Sequence, residues 1–162
     1  MGDEDPIPWE YVAVPGQDQD GVTLQSNFAE FKKVCKSCDF TEDKITDWFG
    51  VNNANRDRGK KLFRGGHVDL STLRARAGRM IVSGDELILF QAVVTASQRA
   101  RAYNAVLAYN KTTGQILRSP ASTGECVVHL GPGCSHQFAI GCTIVAVTHV
   151  RGEDEMKVFP PT

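Results

Sequence analysis

A chain of 162 residues that is 41% hydrophobic and 23% charged carries enough apolar material for one core, and its mixture is too ordinary for disorder throughout. No apolar run approaches the roughly 18 residues that a bilayer span needs, and the acidic start Met1-Gly2-Asp3-Glu4-Asp5 is unlike the basic leader of a secretory or transit peptide. A cytoplasmic or nuclear protein, neither secreted nor membrane-bound, is therefore expected. The net charge of −1 conceals segregation: residues 1–20 hold six acids and no base, whereas 54–79 hold eight bases and two acids.

In chain order, residues 1–25 combine those acids with Pro6, Pro8, Pro15, Gly16 and Gly21, which predicts an extended acidic arm. Within it only Trp9–Val14 can pack, as one edge strand. A single α+β domain is expected over 26–162, with an N-terminal helical hairpin packed on a mainly antiparallel sheet or small barrel. Phe28, Phe31 and Val34/Cys35 follow helical spacing behind Ser26 as cap. Thr41, with Glu42 and Asp43 after it and Ile45, Trp48 and Phe49 on one face, predicts a second helix ending at Gly50. The hairpin thus occupies 26–50.

Residues 51–79 read as a basic connector, because Asn52, Asn53, Asn55, Gly59, Gly65, Gly66 and Gly78 interrupt any period; a short helix near 69–77 is the one element expected there. From 79 to 159 the chain is β-rich, with strands expected at 79–83, 86–96, 101–110, 115–118, 125–130, 138–150 and 155–159. Leu87, Leu89 and Val93 alternate with Ile88, Phe90, Ala92 and Val94, so both faces of that run are apolar and a central strand is predicted. Asn110-Lys111-Thr112-Thr113-Gly114 has the composition of a hairpin loop. The expected core includes Phe28, Phe31, Ile45, Trp48, Phe49, Ile88, Phe90, Val94, Leu107, Ile144 and Val147.

Three constellations bear on chemistry. The densest is Arg56, Arg58, Lys60, Lys61, Arg64, Arg74, Arg76 and Arg79, which fall within 24 positions among small and flexible residues. Clustered cationic side chains of this kind neutralise phosphates and release counterions, and Phe63, Tyr103 and Tyr109 could stack bases; a solvated connector is the alternative. The second is a zinc site of Cys35 and Cys38, at knuckle spacing, with Cys134 and His136. The competing expectation for all five cysteines is free thiols in a reducing compartment, with no cofactor. The third is Cys134 as a nucleophile on the glycine turn Gly131-Pro132-Gly133, with His67 as base and Asp85 as its orienter.

The order His67, Asp85, Cys134, followed by Cys142–Val150 and a glycine at Gly152, resembles the chymotrypsin-like cysteine proteases of picornaviruses over residues 67–159. That resemblance implies a viral cysteine protease. It departs from those enzymes at Ser135 and His136, where they carry glycines, and in the short stretch between Asp85 and Cys134. Thr23-Leu24-Gln25-Ser26 similarly resembles a sequence cut by glutamine-specific viral proteases. On balance the residues favour a non-enzymatic binding module that engages nucleic acid or another polyanion, with a protein partner also compatible and the acidic arm modulating access. The alternative is a cysteine protease or hydrolase using Cys134.

Overall fold

The computed structural model describes residues 9–12, 21–49, 53–95, 102–117 and 135–150, with the backbone alone at Trp48, Phe49, 53–55 and Tyr103. Among the described residues two short strands come first, β1 (Trp9–Tyr11) and β2 (Val22–Thr23). Three helices follow: α1 (Phe28–Cys38), α2 (Glu42–Phe49) and α3 (Asn53–Arg64). Then come β3 (Val68–Met80), β4 (Glu86–Thr95), β5 (Ala102–Asn110) and β6 (Gln115–Ile116), and last α4 (Ser135–His149). This is an α+β arrangement.

The strands form one open antiparallel sheet in the order β1-β3-β4-β5-β6, with β2 pairing β3 beside β1. β4 is central. Its residues Ile88, Phe90, Ala92 and Val94 face the helices, while Leu87 and Leu89 pack with Trp9, Val106 and Ala108 on the other face. Apolar side chains on both faces suit a strand covered on both sides, as its sequence predicts. The β5–β6 turn also forms as expected: Asn110 Oδ1 accepts from the amides of Thr112 and Thr113 at 2.8 and 3.0 Å. Asn110 Nδ2 donates to Asp85 at 3.0 Å, so this buried amide is paired on both sides.

The helix starts are set by short polar side chains. Asn27, rather than Ser26, caps α1 through a bond from the Glu30 amide at 3.2 Å, while Ser26 bonds Thr23 in the preceding turn. Thr41 caps α2 by accepting from the Lys44 amide at 3.1 Å. Asp39 closes α1 in the left-handed region at φ 54°, and the Lys44 ammonium 2.8 Å away holds its carboxyl below the usual range. Although α1 and α2 adjoin in sequence, each packs on α4, and a strand precedes them both.

Two segments depart from expectation. Residues 138–150, expected as a strand, lie in α4 and its end, and the connector 51–79 resolves into α3 and β3, so 69–77 is strand and not helix. α4 lies between α1, α2, α3 and the sheet, with Phe138, Ala139, Ile140, Gly141, Thr143, Ile144 and Val147 all buried. A helix enclosed in this way is apolar all round and shows no amphipathic period. Its Thr, Ile and Val residues then read as strand formers. In β3, Leu73 and Ala75 enter the core while Arg74 and Arg76 alternate with them, the period-2 signature of a half-buried strand. The expected strands at 125–130 and 155–159 lie outside the described residues.

Candidate nucleic-acid interface

α3 gathers five of the eight cations of the basic segment, against one acid, Asp57. Gly59 and Leu62 turn into the core and define the inner face of the helix. Arg56, Lys60 and Arg64, at i, i+4 and i+8, line one flank, and Arg58 and Lys61 stand on the outside. Arg58, Lys61 and Arg64 are exposed and carry no ion pair to another described residue. Lys60 pairs with Glu42 on α2, while Arg56 Nε lies 3.9 Å from Asp57 and has no hydrogen-bond partner.

The other three cations lie on β3. Arg74 and Arg76 point away from the helical side, since their neighbours Leu73 and Ala75 fill the core beneath it. Arg76 stacks its guanidinium 3.4 Å from the centroid of the Tyr11 ring, and Arg79 pairs with Glu10 at 2.6 Å. The acidic arm, through β1, thus occupies two of the three β3 arginines. The eight cations do not form one surface. Of the aromatic residues expected to stack bases, Tyr109 is 7% exposed with its ring against Phe40, and Phe63 is half-buried between helices. The side chain of Tyr103 lies outside the described residues.

The zinc candidates separate into two environments. Cys35 and Cys38 sit in the core on the inner face of α1, while His136 lies in the first turn of α4 and Cys134 is outside the described residues. Among the described residues no group of three or more His, Cys, Asp or Glu could hold a metal ion. Burial, followed by the neighbouring Cys38, raises the Cys35 thiol well above its ordinary value, and burial pushes Cys38 up to about 12. Cys142 is likewise pushed up to about 12, chiefly by burial and then by Glu42, with Lys60 and Arg64 acting in the other direction. All three thiols are protonated at neutral pH and are poor nucleophiles.

No family model, curated protein or solved structure matches the chain.

His67 precedes β3 and its carbonyl accepts the Thr95 amide at 2.8 Å, whereas the Asp85 carbonyl accepts the Met80 amide at 2.8 Å at the far end of the same strand. The 13 residues of β3 amount to roughly 40 Å of extended chain between them. Asp85 bonds Asn110, and the His67 ring lies over Gly65, so the two do not form the base and orienter of a triad. Of the string 23–26, Leu24 is buried and its flanking residues are tied in a turn.

Sequence reasoning missed a cavity of about 250 Å³ where the C-terminal halves of α3 and α4 meet α2. α4 contributes Cys142, Val145, Ala146 and His149 to its walls. Once that segment is read as a strand, nothing in the sequence brings these residues beside Lys60 and Arg64. Among the described residues no helix is long and apolar enough to cross a membrane.

Proposed function

We propose that the protein is a non-enzymatic binding module that engages nucleic acid through the outer surface of α3. The observation that carries this reading is the concentration of Arg58, Lys61 and Arg64, exposed and without ion pairs to other described residues, on one helix whose only acid is Asp57. A helix offers a rigid row of cations at a spacing of about 6 Å for every four residues, so several phosphates can be met without ordering a loop. The arginines of β3 are secondary, because Glu10 and Tyr11 already engage Arg79 and Arg76. Contacts of this kind are to the backbone, so binding is insensitive to base sequence.

Fluorescence anisotropy with labelled single- and double-stranded oligonucleotides of mixed sequence tests the reading. Binding should appear at low salt and weaken with a log–log slope of about −2 for a single strand if three phosphates are neutralised. Replacing Arg58, Lys61 and Arg64 together with Gln should remove most of that slope and weaken all sequences alike. No binding of RNA or DNA at low salt would return α3 to the role of a solvated helix.

A further inference from the structure

The cavity between α2, α3 and α4 combines an apolar interior with an asymmetric charged rim. Ile45, Phe63, Val145, Ala146 and Val150 provide the interior, and Glu42, Lys60, Arg64 and His149 stand at its border. Glu42 and Lys60 satisfy one another as an ion pair. Arg64 has no ion pair among the described residues. Among the described residues, then, the rim presents a guanidinium without an ion pair, whose planar fork matches a carboxylate through two parallel hydrogen bonds.

Size sets the rest of the ligand. A dry cavity of about 150 Å³ holds one benzene ring, so 250 Å³ accommodates a modest hydrocarbon and no more. The charged head belongs at Arg64, on the rim, with the tail inward against the apolar wall.

We infer that this cavity is a binding site for a medium-chain carboxylate, its chain against Ile45, Phe63 and Val145 and its carboxylate on Arg64. A singly charged head fits the Arg64 guanidinium, and an unbranched tail of roughly six to ten carbons fits the volume. The site does not depend on the nucleic-acid reading, and its test is made on the protein alone.

Calorimetric titration of the full chain with sodium octanoate provides that test. Octanoate should bind saturably at one site, octanol more weakly, and octylammonium not at all. Arg64→Gln should weaken octanoate about tenfold and leave octanol unchanged, which also shows that the variant keeps its fold. Octanoate should in addition slow alkylation of Cys142, a half-buried thiol on the cavity wall, as read by mass spectrometry at mildly alkaline pH. Octylammonium binding as tightly as octanoate, or octanoate binding equally to Arg64→Gln, would overturn the head-group assignment. Absence of saturable octanoate binding together with unchanged alkylation of Cys142 would overturn the site.

Discussion

Phe90 shows what one residue contributes to this core. It is fully buried on the central strand, with its ring 6.2 Å from both Phe31 of α1 and Phe40 in the link that follows. Edge and tilted contacts of this type add to the area that an aromatic ring buries. Truncation leaves a cavity between helix and sheet that neither side can close. Phe90→Ala should cost about 3–5 kcal/mol in urea unfolding; an unchanged midpoint would mean that the site is not packed as described. The candidate site contrasts with this at the same scale, since Arg58 and Lys61 are exposed and replacing them should alter binding without altering stability.

Helices α3 and α4 pack closely against each other, and a glycine permits it. A Cβ added to Gly59 would come within 2.9 Å of the Ser135 carbonyl oxygen and of the Phe138 Cβ. In an exposed helix, Gly→Ala stabilises by about 1 kcal/mol. Here the backbone contact reverses the sign, because the carbonyl cannot move without shifting α4. Gly59→Ala should destabilise by about 1–3 kcal/mol, measured by thermal or urea melts. A gain in stability would show that the two helices do not approach so closely. The same helix pair builds the cavity wall, so a loosened α3–α4 contact should also weaken octanoate binding.

Over the whole molecule, buried ionisable groups make stability depend on pH in one direction. Burial raises the thiols of Cys35, Cys38 and Cys142 and the Tyr109 hydroxyl. In the unfolded chain a thiol loses its proton near its ordinary value of 9.0, while folded Cys38 and Cys142 retain theirs to about 12. Between those values the folded state holds more protons, so the contribution is complete below pH 9 and is lost as pH rises toward 12. Urea unfolding at pH 8 and at steps above 9 should show falling stability, and a Cys38→Ala, Cys142→Ala double variant should flatten the fall. An equal decline in the double variant would exclude these thiols as its cause.

The sequence alone determined those features that local chemistry controls. The helical periods of α1 and α2, the Thr41 cap of α2, the two-faced apolar pattern of β4 and the Asn110–Gly114 turn are each dictated within a few residues and appear where their patterns predict, while the cap of α1 falls one residue later, at Asn27. The density of cations over 56–79 was equally plain. What only the tertiary structure decided was how those cations divide. Helix α3 covers one face of the sheet while Arg74 and Arg76 of β3 point from the other, and β1 returns from far earlier in the sequence to engage Arg76 and Arg79. Tertiary packing also made a helix of 135–149, because enclosure by three helices and a sheet removes the polar face by which a helix is recognised in sequence. The cavity beside Arg64 depends on that helix, so it was legible only once the neighbours of α4 were in place.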